Sequence, residues 1–242
     1  MGVLDILKRK TPLEKATKDL REPYAQPEYR RAAMDKLFEM GTDEAYGALL
    51  QRFTFNASGQ IADEAEKLEL VERLVEVGAP AVEATKRFIA TEKKIAFPIR
   101  ALIRMLPKIE ALTYLCDVLK RYEPLDHRST ESKLNLIVSI SESIDSEGAA
   151  LFVPYLEDHS DDVQFQAIGA LERAANPETR MALCDVCCSD AHAARIQRRA
   201  AQALLDLGWS VKERFDDFTA DLKGDYIVGK KGLLAKKQSA AG

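Results

Sequence analysis

The sequence has no apolar run that approaches the roughly eighteen residues of a membrane-spanning helix. Its first residues also lack the succession of basic, apolar and small residues that marks a secretory signal. The apolar content is ordinary and the formal net charge is −4, so composition does not predict disorder. We therefore expect a folded, soluble protein of the cytoplasm.

Cysteine is scarce, and three of the four cysteines lie within five residues, at Cys184, Cys187 and Cys188. Thiolates at this helical spacing can hold a soft metal or react with oxidants. A structural zinc site takes four ligands, however, and Cys116 lies far away in the sequence. Because a free cysteine behaves as a small apolar residue, we predict core packing in a protein from a reducing compartment.

Histidine is rarer still, with His127, His159 and His192 as the three in the chain. Each falls in a predicted linker between successive helical pairs. Packed helices lie about 8 to 10 Å apart, whereas metal–nitrogen distances are about 2.0 to 2.1 Å, so one ion is not expected to reach two of them. We predict solvent-exposed loop histidines and no bound metal or cofactor.

Catalytic motifs are missing as well. The chain contains no glycine-rich phosphate loop, no nucleophile elbow and no recognisable acid–base pair. The sequence therefore predicts a binding protein rather than an enzyme.

Residues 161–188 contain a complete helical hairpin. Ser160 is predicted to cap its first helix, and small apolar residues then recur at steps of three and four, which is typical of a helix with one buried face. Asn176 and Pro177 end this helix and begin the next. A hairpin this rich in alanine needs neighbours on both sides, as in a solenoid.

Similar helical pairs recur along the chain, with turn residues every 29 to 38 residues, a period typical of helical-hairpin repeats. The predicted helices are 27–39 and 43–53, 61–77 and 79–91, 96–106 and 107–122, 129–144 and 145–158, 161–174 and 177–188, and 191–207. The predicted domains are an N-terminal amphipathic or capping segment (1–26), the repeat array (27–208), and a C-terminal cap and basic tail (209–242). Within this last segment we predict a helix over 209–222 and a strand-like stretch over 226–228.

SDDVQFQAIGAL resembles the opening of a HEAT repeat, in which acidic residues precede a helix with an Arg or Gln and an alanine-rich inner face. QPEYRRAAMDKLFEMG and SDAHAARIQRRAAQALLDLG are similar. The resemblance covers roughly residues 27–208 and implies an all-α protein, a right-handed α-solenoid of about five to six HEAT-like hairpins. It implies a fold rather than an activity.

HEAT-like alkylpurine DNA glycosylases supply an alternative function, because such a solenoid can hold duplex DNA in a basic groove. The second helix of each pair would line that groove. Residues 79–94 and 107–121 are basic, but 145–158 carry four acids and no base. This interruption and the negative net charge argue against nucleic acid as the partner.

The leading hypothesis is a non-catalytic adaptor or scaffold that grips a protein or peptide with its concave surface. The predicted partner-binding residues form a basic sector that comprises Lys86, Arg87, Lys93, Lys94, Arg100, Arg104 and Lys108. The preceding helix, 61–77, is predicted to present its acids, Asp63 and Glu66 among them, on its outer sides.

Both ends of the chain are basic. The first ten residues, MGVLDILKRK, have a short amphipathic pattern that predicts either a lid over the first hairpin or recruitment to an anionic membrane. From Lys223 onward the chain has five lysines and one aspartate, which predicts a solubilising tail or one that docks on an acidic partner or membrane surface.

Overall fold

The computed structural model describes residues 10–237. The predicted lid or membrane contact of residues 1–10 therefore falls almost entirely outside the described residues. Within this range helices predominate, beside a single two-stranded sheet, which confirms the all-α class. None of the helices in residues 10–237 has both the length and the apolar character that crossing a membrane requires.

The chain divides into two compact units, one up to Ala111 and one from Leu112. The helices of the first unit are α1 (Pro12–Leu20), α2 (Pro27–Met40), α3 (Asp43–Leu50), α4 (Gln60–Val77), α5 (Ala79–Thr91) and α6 (Ala96–Met105), and α7 (Lys108–Leu119) continues across the division. The second unit contains α8 (Thr130–Ser141), α9 (Asp161–Ala174), α10 (Arg180–Cys188), α11 (Ala194–Asp206), α12 (Ala220–Asp225), β1 (Tyr226–Val228) and β2 (Leu234–Lys236). Helices of the 3-10 type lie at Gln51–Thr54, His127–Ser129, Glu147–Glu157, Pro177–Thr179 and Phe215–Asp217.

The first unit has a continuous apolar core formed by one face of each helix. Leu37 of α2, Leu49 of α3, Leu70 and Leu74 of α4 and Phe88 of α5 are all buried in it. Packing joins helices that are not neighbours in sequence, since α3 contacts α5 and α4 contacts α6. Each helical pair in this unit therefore buries its apolar face against the next pair.

The second unit repeats this arrangement, because α8 and α11 both pack on α9, and α10 packs on α11. Its least regular element is the 3-10 helix Glu147–Glu157, which corrects the α-helix predicted over 145–158. Pro154 lies inside this segment and has no N–H with which to continue an α-helix. Three residues per turn place Ala149, Phe152 and Tyr155 in one buried row, so the segment still covers α9.

A buried polar side chain recurs on the first helix of five hairpins, and each one holds the loop before its own helix. These side chains are Arg30, Lys67, Lys133, Gln164 and Gln197. Their acceptors, in the same order, are Ala25 O (2.6 Å), Asn56 Oδ1 (2.9 Å), Pro124 O (2.7 Å), Asp158 O (2.5 Å) and Ser189 O (2.8 Å). Burial of such a donor is tolerated only when it is hydrogen-bonded, so each contact fixes the loop to the helix that follows.

The helix predicted over 209–222 is wrong for most of its length. Residues 209–211 have no regular secondary structure, residues 212–214 form a turn, and α12 begins only at Ala220. The backbone N–H of Val211 donates to Gly232 O at 2.8 Å, and that of Thr219 donates to Cys187 O at 3.1 Å. Because these N–H groups bind distant carbonyls, they do not form the local bonds of a helix. The strand predicted at 226–228 is confirmed as β1, which pairs with β2 in an antiparallel hairpin.

Candidate functional site

The seven predicted partner-binding cations occupy four consecutive segments of the first unit. Lys86 and Arg87 belong to α5, Lys93 and Lys94 to the segment after it, Arg100 and Arg104 to α6, and Lys108 to the start of α7. All are exposed except Lys86, which is half-buried.

Three of these cations bind acids of the same unit. The pairs are Lys86 with Glu110 (3.2 Å), Arg87 with Asp43, and Arg104 with Glu72 (2.5 Å). The hydrogen bonds from Arg104 lower the pKa of Glu72 below its usual value. Ion pairs at the surface add little to stability, because solvent screens them. Their positive charge is nevertheless largely compensated within the protein.

Three other cations flank α6 or lie on it. Lys94 precedes the helix, Arg100 lies on it and Lys108 follows it, and none has an ion pair among the described residues. Ile103, one helical turn after Arg100, leaves 37% of its surface exposed. We call Lys94, Arg100, Ile103 and Lys108 the α6 surface.

The prediction that α4 carries its acids on its outer sides is wrong for two of them. Asp63 is 7% exposed and Glu66 is 5% exposed. They face inward because cations from α2, from α4 itself and from the 3-10 helix after α3 surround them. We call the five residues Arg30, Arg52, Asp63, Glu66 and Lys67 the ionic network.

Glu66 links two arginines in this network. Arg30 donates to its carboxylate from Nε at 3.0 Å and from Nη2 at 2.9 Å. Arg52, which is completely buried, donates to the other side of the same carboxylate. Such fork-shaped contacts are the strongest hydrogen bonds that a carboxylate forms with side chains. Glu66 therefore links α2 and the 3-10 helix after α3 to α4.

Asp63 completes the ionic network on the other side of Arg52. Its carboxylate accepts from Arg52 Nη2 at 2.5 Å, from Lys67 Nζ at 2.7 Å and from the backbone N–H of Ala57 at 2.7 Å. Burial by itself would raise the pKa of Asp63, but the hydrogen bonds from Lys67, Ala57 and Arg52 outweigh it and lower that pKa. Asp63 is thus held in its charged form.

A cavity of about 430 Å³ adjoins the ionic network. Its lining consists of Asn56, Ala57, Gln60, Asp63, Glu64, Lys67 and Phe97. Lys67 bridges Asp63 and Asn56 at its edge, so the charged groups there are already engaged with each other. This arrangement suits a rigid support for the loop 55–59 rather than a reactive centre. The i,i+4 spacing of Asp63 and Lys67 is a sequence signal by which part of the network was detectable.

The histidine predictions need two corrections. His127 and His159 are exposed as predicted, but their ring centroids lie 6.1 Å apart, so the linkers that carry them are closer than we expected. His192 is buried rather than exposed. Its Nδ1 lies 3.0 Å from Gln164 Oε1, and its Nε2 lies 3.3 Å from the carboxylate of Glu157. The hydrogen bond with Gln164 and the nearby carboxylate of Glu157 explain how a linker histidine is accommodated inside the second unit.

The cysteine cluster is packed as predicted. Cys184 and Cys187 are completely buried, and Cys188 is half-buried. Burial raises the pKa of Cys184 to about 11 and also raises that of Cys187. These thiols therefore stay protonated at neutral pH and belong to the core between α10 and α11. No group of three or more His, Cys, Asp or Glu side chains within residues 10–237 is arranged to hold a metal ion.

Comparison of the chain with protein-family models and with curated protein sequences finds no match. The resemblance to HEAT repeats therefore depends on the sequence motifs quoted above. The fold defines the class of the protein as all-α.

Proposed function

We propose that the chain is a non-catalytic adaptor whose hairpins are repeats of a short HEAT-like solenoid that binds a protein or peptide. Two observations support the repeat architecture. Within each unit, helices that are not adjacent in sequence pack against one another, as in α3 with α5 and α9 with α11. The buried donor on the first helix of five hairpins also recurs with the same role.

The α6 surface is the binding site in this proposal. The observation that carries it is the combination of three cations without intramolecular ion pairs, Lys94, Arg100 and Lys108, with the exposed side chain of Ile103. Cations without an ion pair beside an exposed aliphatic side chain favour a partner segment that has both carboxylates and apolar residues.

The length of α6 limits the size of that segment. Ten residues at 1.5 Å each make α6 about 15 Å long. An extended peptide advances about 3.3 Å per residue, so roughly five residues would span the site. The segment of the partner that binds is therefore short, acidic and apolar. The site sets no requirement for the rest of the partner's chain.

DNA binding of the glycosylase type remains the second candidate from the sequence, with less support. Asp145, Glu147 and Glu157 are exposed on the segment that would interrupt a basic groove, while Asp158 is buried against Lys133. Three of the seven predicted cations are also compensated by neighbouring acids. A continuous track of phosphate-binding charge is thereby lost.

Affinity purification from the native cell tests the adaptor proposal. The variant Lys94→Glu/Arg100→Glu/Lys108→Glu should lose partners that the unaltered chain retains, because it presents negative charge to an acidic segment. Purified partner segments should then bind the unaltered chain in fluorescence anisotropy with an affinity that decreases as salt is added.

The matched control is Lys15→Glu/Lys18→Glu/Lys36→Glu, which makes the same change of charge on exposed lysines of α1 and α2. It should retain the partners. If the α6 variant keeps every partner, or if the control loses the same ones, the α6 surface is not the binding site.

A further inference from the structure

The C-terminal hairpin exposes apolar side chains on the face that points away from the protein. In its register Tyr226 pairs with Lys236, Ile227 with Ala235 and Val228 with Leu234. Tyr226 and Leu234 are buried against the second unit. Ile227 and Ala235 lie on the opposite face, since successive side chains of a strand alternate.

The outer face of the hairpin is less polar than the solvent-exposed face of a β-ribbon usually is. Ile227 is 48% exposed and Leu233 is 37% exposed, and Ala235 between them is exposed as well. The solvated face of an antiparallel ribbon normally carries polar residues. A cluster of exposed aliphatic side chains on such a face is typical of a surface that contacts something.

Lysines surround this aliphatic face. Lys230 and Lys231 form the tip of the hairpin, and Lys212 lies beside it; none of the three has an ion pair among the described residues. Residues 223–237 contain five lysines, no arginine and one acid, Asp225. Asp225 is bound to Arg198 at 2.8 Å, so it does not compensate the lysines.

The backbone holds the tip in a fixed position. Gly232 accepts a hydrogen bond from the N–H of Val211 at 2.8 Å and donates its own N–H to Gly229 O at 2.8 Å. Gly232 has a φ of +79° and is buried, and a Cβ at this position would clash with Ser210. Lys230 and Lys231 are therefore presented by a clamped turn.

The composition of the surface distinguishes between possible occupants. Protein interfaces are enriched in aromatic residues and arginine and are depleted in lysine. Single-stranded nucleic acid is bound by exposed aromatic rings on which bases stack. Residues 223–237 contain no arginine, and their one aromatic residue, Tyr226, is buried. Lysine beside aliphatic side chains instead matches the anionic headgroups and acyl boundary of a lipid surface.

We propose that this hairpin is a peripheral docking site for an anionic membrane surface. Ile227 and Leu233 enter the headgroup layer, and Lys230, Lys231 and Lys212 contact the lipid phosphates and carboxylates. The proposal uses no residue of 1–10 and no residue of the α6 surface, so it does not depend on the adaptor proposal.

Co-sedimentation of the full chain with vesicles tests the proposal. Vesicles of phosphatidylcholine with about one third phosphatidylserine should bind the chain in low salt, and pure phosphatidylcholine should not. Since each lysine near an anionic surface strengthens binding about fivefold, Lys230→Gln/Lys231→Gln should weaken it roughly 25-fold. Ile227→Ser/Leu233→Ser should weaken it as well, because it removes the apolar contact while keeping every charge.

The control Lys15→Gln/Lys18→Gln removes the same charge from exposed lysines of α1 and should bind like the unaltered chain. Circular dichroism on all variants checks that the helices are retained.

Four outcomes would overturn the proposal. They are absence of phosphatidylserine-dependent binding, an equal loss in the α1 control, unchanged binding of either hairpin variant, and a dimer of the unaltered chain that Lys230→Gln/Lys231→Gln converts to a monomer. The last result would assign the hairpin to self-association instead.

Discussion

At the scale of single residues, the ionic network is the least expected feature of the protein. Five charged side chains are buried together, and three of them are cations. A buried charge is tolerated when its partners stay in place, but removal of one partner leaves an uncompensated ion in a medium that solvates it poorly. Glu66 is the partner on which both Arg30 and Arg52 depend.

We expect Glu66→Gln to lower the free energy of unfolding by about 3 to 5 kcal/mol, because it leaves two buried guanidinium groups short of a counter-charge. Urea denaturation followed by circular dichroism measures this change. Glu69→Gln is the matched control, since Glu69 lies on the same helix and binds Arg31 of α2 at 2.7 Å on the surface. It should cost no more than about 1 kcal/mol. If the two variants lowered the free energy of unfolding equally, the burial of Glu66 would not explain its effect.

At the scale of elements, the ends of the helices show how local sequence and packing share control. The side chain of Ser160 makes no cap bond in α9, and the N–H of Ser160 instead donates to Asp158 Oδ1 at 2.9 Å. At the other end of α9, Ala175 adopts a left-handed conformation with φ of 50°. Gly208 adopts a similar conformation after α11, with φ of 63°. Glycine is free of strain there, whereas alanine is not.

Ala175→Gly should therefore stabilise the protein by about 1 kcal/mol, and Gly208→Ala should destabilise it by a similar amount. A Cβ at Gly208 meets no atom within 4 Å, so only the backbone conformation is tested at that position. Thermal denaturation of both variants against the unaltered chain provides the measurement. A loss of stability in Ala175→Gly would show that its methyl group matters more than the strain.

At the scale of the whole molecule, each compact unit contains its own buried polar contacts. The ionic network lies in the first unit, and the completely buried pair of Lys133 and Asp158 lies in the second. Local stability in a protein of this kind is expected to follow the contacts within each packed unit.

Hydrogen exchange followed by mass spectrometry should show this division. Glu66→Gln should lower protection mainly in residues 10–111, and Lys133→Met, which leaves Asp158 without its counter-charge, should lower it mainly in residues 112–237. Loss of protection throughout the chain in both variants would instead indicate that the two units unfold together.

The sequence by itself determined the elements. Period, turn residues and prolines predicted most helices to within a few residues, because these signals act over one or two turns. They also predicted the burial of Cys184 and Cys187, since small apolar residues recur at helical steps around them. Whether Lys86, Arg87, Lys93, Lys94, Arg100, Arg104 and Lys108 bind a partner stays a prediction.

Tertiary structure decided which charged and polar residues are buried. Asp63, Glu66 and His192 are polar in any local window, and their burial depends on partners up to 36 residues away, such as Arg30. The same holds for Val211 and Thr219, whose N–H groups donate to the carbonyls of Gly232 and Cys187 in distant segments rather than to carbonyls of a helix. A charged group can be buried only where the fold places an opposite charge or a hydrogen-bonding group beside it. Those partners come from distant segments, so the local sequence does not reveal them.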